Sequence, residues 1–176
     1  DKGEGTHSHV LPIRSVGVQG DNRTYAHPLA VWPSSLPLPD LSAIALAPEE
    51  GETQRVWEWK QLDKFSSRIT NTNREINRVL LWLNPNGENI IGELQTAYLT
   101  PDRVELLRQI DAIVNQEILN ANLYHEIWQF PVVLIPFGAG KKESIVLRPI
   151  ISEEAMTAHF ARLPKDVLQS IVDKIL

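Results

Sequence analysis

Val16 and Val18 alternate with Gly17 and Gln19, the two-residue period of a strand. Residues 11–18 are predicted as a first strand and residues 26–32 as its hairpin partner. Pro28 confines part of that partner to an edge or a bulge, because proline has no amide to give to a ladder. Farther on, Trp57, Leu62, Phe65 and Ile69 recur at near-helical spacing, so residues 56–73 are predicted as an amphipathic helix. The run VLLWL at 79–83 has the length and apolarity of a buried strand. Asn84, Pro85, Asn86 and Gly87 form a turn signal, and residues 92–99 alternate again as a strand would. Thr100, Pro101 and Asp102 then supply an N-cap, a first-turn proline and a first-turn acid for a helix reaching residue 120. Val104, Leu107, Ile110 or Asp111, Val114 and Ile118 mark its inner stripe, and Asn120, Ala121 and Asn122 stop it. FPVVLIPF at 130–137 and the segment 144–151 read as two strands of a hairpin around a glycine turn. Ser152 caps a short turn through Met156, and Leu163–Pro164 opens a last helix with Val167, Leu168, Ile171 and Ile175 on its apolar side.

Strands and amphipathic helices in this alternation predict an α+β fold of small mixed or antiparallel sheets backed by helices. Two units can be laid side by side, residues 11–99 and 130–176, joined by a connecting helix and linker at 100–129. By the logic of the repeat a strand should follow Leu176, so the second unit is incomplete. Residues 1–10 are polar and are assigned to a flexible tail. Residues 33–52 carry repeated prolines, which exclude a helix or a central strand and predict a long ordered loop with a short helical turn near 41–45.

The formal net charge of −5 argues against nucleic acid or an anionic membrane as a bulk partner. No apolar run approaches the ~20 residues of a membrane span, and no signal peptide is visible, so a cytoplasmic location is expected. The absence of cysteine excludes thiol catalysis and cysteine-ligated metal. His7 and His9 lack further ligands at fitting spacing, and no metal site is expected. Five tryptophans and several apolar runs exceed what two small, incomplete cores need, which points to self-association.

Candidate chemistry begins at Gly20 and Asp21, a turn that places Arg23 just beyond it. Glycine permits close backbone approach, and a guanidinium fork binds two oxygens of a phosphate or carboxylate. The alternative is a hairpin carrying a solvated arginine. Gly138-Ala139-Gly140-Lys141-Lys142 invites comparison with a phosphate loop, but the spacing is short and a strand follows instead of a helix, so a hairpin loop is expected. Trp57 and Trp59 offer either a stacking platform for a base or a division in which one is core and the other interface or surface. Arg148 lies in a mostly apolar strand and needs a partner, either a structural ion pair or a dimer or ligand site.

LPIRSVGVQGDNRTY at 11–25 resembles the opening of the C-terminal dimerisation domain of glutamine-hydrolysing GMP synthases. SEEAMTAHFARLPKDVLQSIVDKI at 152–175 resembles that family's Met-Thr-Ala to Ala-Arg-Leu-Pro helix segment, and INRVLLWL at 76–83 is similar to its strand after the first helix. The spacing implies the longer, eukaryotic-type form in which the dimerisation module is doubled. The resemblance implies a parent enzyme that aminates xanthosine monophosphate (XMP) to GMP, with ATP and magnesium on an ATP-pyrophosphatase domain and ammonia from a glutaminase. It implies a homodimer formed through this region. It places Arg23 near the XMP phosphate with Asp21 orienting it, and matches Gln129 to a nucleotide contact and Arg148, more weakly, to an arginine of the second hairpin. No pyrophosphate-binding SGG loop occurs in the chain, so it should carry no covalent chemistry, no catalytic residue and no cofactor of its own. Ala26, His27 and Pro28 replace the family's usual continuation of the hairpin, which leaves a second reading: a non-catalytic dimerisation module on a GMP-synthase-like ATP pyrophosphatase acting on another substrate.

Overall fold

A computed structural model describes residues 6–19, 22–33, 59–83, 92–140, 142–153 and 157–176. The proline-rich stretch, the turn at Asn84–Gly87, Trp57 and Asp21 lie outside the described residues. The chain divides into two units, Asp1–Ile90 and Ile91–Leu176, and the architecture is α+β.

The first unit is built on one long strand. β1 (Thr6–Val10), β2 (Ser15–Gln19), β3 (Asn22–Pro33) and β4 (Ile76–Leu81) form one sheet. β2 pairs antiparallel with the first half of β3, with Val18 opposite Arg23, and β1 pairs antiparallel with the second half, with Val10 opposite Leu29. β4 pairs parallel with β3, and the register shifts between His27 and Pro28. Proline's missing amide is thus accommodated at a bulge, as its chemistry requires. Two expectations are corrected. Residues 6–10 are a strand and not a flexible tail, because a polar segment can still exchange backbone hydrogen bonds with an available edge. Residues 11–14 are irregular, and the hairpin strand begins only at Ser15.

Helix α1 (Trp59–Thr72) packs its apolar stripe on this sheet. Trp59, Phe65 and Ile69 pack with buried Leu62 against Leu29, Val31 and Ile76, flanked by Val79 and Leu81. Val31 is fully enclosed; burying such a side chain contributes about 1.5–3 kcal/mol.

The second unit starts with β5 (Glu93–Leu94), a two-residue strand where eight residues of strand are expected. It pairs with β7 (Phe137–Gly138), and Tyr98 and Leu99 beyond it are largely exposed, so their side chains give the alternation no inner face to bury. Helix α2 (Pro101–Asn120) is capped by Thr100, whose hydroxyl accepts from the Arg103 amide, and ends at Asn122 in the left-handed region (φ 58°). β6 (Val132–Ile135) and β8 (Ser144–Leu147) form the expected hairpin. Ser152 lies within β9 (Ile150–Glu153), which pairs antiparallel with β10 (Thr157–Phe160), and the rest of the turn expected through Met156 lies outside the described residues. Helix α3 (Lys165–Ile175) follows Pro164 as predicted. Its inner face is Leu168, Ile171 and Val172, and that of α2 is Ile110, Val114, Glu117 and Ile118.

Glu117 replaces the apolar residue a pure stripe would place there. It is 8% exposed and accepts from Lys174 Nζ at 2.5 Å and from the Ser170 hydroxyl. The hydrogen bond from Lys174, then that from Ser170, holds its carboxyl below the ordinary glutamate value of 4.5.

Candidate functional site

Arg23 stands on β3 opposite Val18, exposed to solvent. Among the described residues its guanidinium has no carboxylate partner. Asp21, expected to orient it, lies outside the described residues. The hairpin beneath Arg23 is fixed by Asn77 of β4. Asn77 Oδ1 accepts from Ser15 Oγ at 2.5 Å, and Nδ2 donates to the carbonyls of Ser15 at 2.7 Å and Thr24 at 3.3 Å. This pattern fixes the orientation of the amide, since the opposite one would set a carbonyl against two carbonyls. Arg78 Nη2 donates to the Val16 carbonyl at 2.9 Å. A Cβ added to Gly17 would lie 3.0 Å from the Asn77 side chain, so only a glycine leaves this approach unstrained.

His27 braces the entry to the same hairpin. Its Nδ1 lies 3.1 Å from the Leu11 carbonyl and 2.7 Å from that of Ile13. Both are acceptors, so Nδ1 carries the proton. His27 thus ties down the irregular segment 11–14. Neither Asn77 nor the role of His27 is legible in the sequence. An Asn opening a strand and a His before a Pro give no signal of their carbonyl partners 53 to 62 and 14 to 16 residues away.

Gln129 and Arg148 belong to the second unit and share one ribbon. Gln129 and Ile150 exchange backbone hydrogen bonds at 3.2 and 2.8 Å, and the Arg148 amide donates to the Pro131 carbonyl at 3.1 Å. These pairs continue the β6–β8 register, in which Val132 faces Leu147. Opposite and alternate residues share a face, so Gln129 and Arg148 are diagonal neighbours on one side of the ribbon. Arg148 is half-buried, and no carboxylate among the described residues pairs with it. The expectation of a structural ion pair for Arg148 thus finds no partner among those residues.

The glycine turn is a braced hairpin. Gln95 Nε2 donates to the carbonyls of Gly140 at 2.6 Å and Lys142 at 3.0 Å. Arg103 grips both oxygens of Glu143 and donates to the Tyr98 carbonyl at 2.9 Å. A phosphate cradle presents amides to the ligand, whereas here two of the turn's carbonyls are directed at a side-chain amide. Among the described residues no three His, Asp or Glu side chains gather into a metal-binding group, and no helix is long and apolar enough to cross a membrane.

The family model for the GMP synthase C-terminal domain matches residues 116–176, which hold Gln129, Arg148 and helix α3. This segment is therefore similar to the GMP synthase C-terminal domain. A probable glutamine-hydrolysing GMP synthase of Leptospira interrogans is 36% identical over 176 residues, covering 98% of this chain and 26% of that protein. One of Caenorhabditis elegans is 30% identical over 183 residues, covering 92% of this chain and 22% of its own length. The GMP synthase of Corynebacterium ammoniagenes is 45% identical, but over 98 residues, 51% of this chain and 18% of that protein. The chain spans about a quarter of the length of the first two relatives. The resemblance expected of the segment at 152–175 therefore falls inside the matched family domain.

Proposed function

We propose that this chain is the dimerisation and XMP-binding region of a glutamine-hydrolysing GMP synthase, an enzyme of purine nucleotide biosynthesis that aminates XMP to GMP. The observation that carries the reading is the similarity to proteins named GMP synthase along 98% and 92% of the chain. The long form of the domain is supported by the same contrast: two relatives align along nearly the whole chain, and the Corynebacterium protein along about half. In this reading ATP and magnesium serve adenylylation on the ATP-pyrophosphatase domain of the same enzyme, in the cytoplasm, and no step in this chain is assigned to them.

The chain's own contribution is electrostatic. Arg23, exposed and without a carboxylate partner among the described residues, offers a bidentate contact to a phosphate. Gln129 offers a neutral amide that can donate and accept, and Arg148 offers a second cation. A phosphate contact remote from the reacting purine carbon contributes mostly uniform binding. In the full-length enzyme Arg23→Ala should therefore raise the Michaelis constant for XMP by roughly tenfold to a hundredfold with little change in kcat. Its thermal stability should stay within about 0.5 kcal/mol, as for other surface changes. Arg23→Lys should recover part of the loss. A normal Michaelis constant in a destabilised Arg23→Ala protein would make the residue structural and remove it from the site.

A further inference from the structure

The hairpin that carries Arg23 has its polarity reversed. An antiparallel ribbon packed on one side normally turns its apolar residues toward the fold and its polar ones toward water. Here Ser15, Gly17 and Thr24 form the inner face, against Asn77 of β4. The Ser15 and Thr24 hydroxyls meet the Asn77 side chain at 2.5 and 3.5 Å, and a Cβ on Gly17 would point into it. Alternate residues face the other way, so Val16, Arg23 and Tyr25 share the outer face. Val16 and Tyr25 stand directly opposite each other and are 50% and 62% exposed. Among the described residues the Tyr25 hydroxyl has no hydrogen-bond partner and Arg23 no carboxylate. Single exposed apolar side chains are ordinary. A facing apolar pair beside an unpaired guanidinium, on a ribbon whose inner face is polar, is the pattern of a surface that another body covers.

We infer that this outer face is the seat of the ATP-pyrophosphatase domain of the same enzyme, with Val16 and Tyr25 buried beneath it and Arg23 at its edge. The inference rests on the reading given above, in which Arg23 holds the phosphate of XMP while the purine reacts on that domain. One nucleotide touches both only if the face that bears Arg23 lies against the domain, and Val16 and Tyr25 share that face. The chain spans 26% and 22% of two relatives, so most of the length of each lies outside the matched region and is available to supply the covering body. The rim has the matching charge. Arg14 is exposed just before β2, and the Arg78 guanidinium is held at the Val16 carbonyl, which suits a domain that carries anionic nucleotides. Tyrosine suits the centre of such a seat, since its ring is buried while its hydroxyl finds a partner across the contact.

The test is photo-cross-linking in the full-length protein, with p-benzoylphenylalanine in place of Tyr25 and, as a control, in place of Lys64 on the exposed side of α1. Irradiation followed by peptide mass spectrometry reads which segment each probe meets. The probe at position 25 should join peptides of the ATP-pyrophosphatase domain within one chain, and the probe at position 64 should not. Adding Val16→Asp should remove most of the cross-link from position 25, because a covered face would have to bury an unpaired carboxylate, while the melting temperature of the hairpin's own unit stays unchanged. Three results overturn the seat: covalent pairs of chains, which would make the face a contact between copies; reaction with solvent alone, which would make it free; and a full yield in the Val16→Asp protein. XMP binding, measured on the same preparations, separates the two readings. A cross-link to that domain in a protein that does not bind XMP leaves the seat standing and removes the nucleotide. XMP binding without the cross-link does the reverse.

Discussion

Asn77→Ala tests whether one side chain holds the hairpin that presents Arg23. The substitution removes four hydrogen bonds, two of 2.5 and 2.7 Å and two longer ones to Thr24, of 3.3 Å to its carbonyl and 3.5 Å to its hydroxyl. Each neutral bond is worth about 1 kcal/mol net, and the two long ones less, so the loss should be about 2–3 kcal/mol. Asn77→Asp sharpens the test. The new carboxylate could still accept from Ser15 Oγ but would face the carbonyls of Ser15 and Thr24 with no donor. At neutral pH it should therefore be less stable than Asn77→Ala. Because the carboxylate is disfavoured in the folded state, its folded pKa is raised, and stability should return as pH falls through that raised value. Urea unfolding followed by tryptophan fluorescence reads these differences, with Trp59 and Trp82 reporting on this unit. Asn77→Ala within about 0.5 kcal/mol of wild type, the range of an ordinary surface change, would refute the argument. So would an Asn77→Asp protein more stable than Asn77→Ala at pH 7.

Glu117→Gln should destabilise the protein at pH 7 and converge on wild type in acid. The lowered carboxyl contributes stability that is fully present above its ordinary value of 4.5 and is lost as pH falls through its lower folded value, so a stability gap that persists unchanged at pH 2 would count against the ion pair. The exposure of Tyr98 (74%) and Leu99 (87%) supports the proposed homodimer. Replacing both by serine in the full-length protein should shift sedimentation toward monomer, and a wild type that stays monomeric at high concentration would remove the proposal.

Local chemistry was legible where the chain acts locally. Thr100 and Pro101 start α2, Asn122 ends it, and Pro164 starts α3, each for reasons contained in a few neighbouring residues. Pro28 announced its bulge in the same way. What escaped depends on distant partners. THSHV reads as a tail until β3 offers an edge, and Thr157–Phe160 shows no strand signal until β9 pairs with it. Glu117 interrupts an apolar stripe because Lys174 meets it 57 residues later. The candidate site followed the same division. Arg23, Gln129 and Arg148 were singled out from the sequence, whereas the diagonal placing of Gln129 and Arg148 exists only in the register of the ribbon.

The double pairing of β3 also sets an order of events during folding. β2 meets β3 within a few residues of chain, and closing such a hairpin takes about 1–10 μs. β4 must come back from more than forty residues away to lie parallel to β3, and non-local parallel pairings form slowly because the loop entropy is lost before the contacts repay it. The hairpin bearing Arg23 should therefore exist early, with the edge of β3 that awaits β4 uncovered, and Asn77 arrives with the last strand to lock it. During synthesis that edge is open until residues 76–81 have left the ribosome, which leaves β3 exposed to wrong partners in the interval.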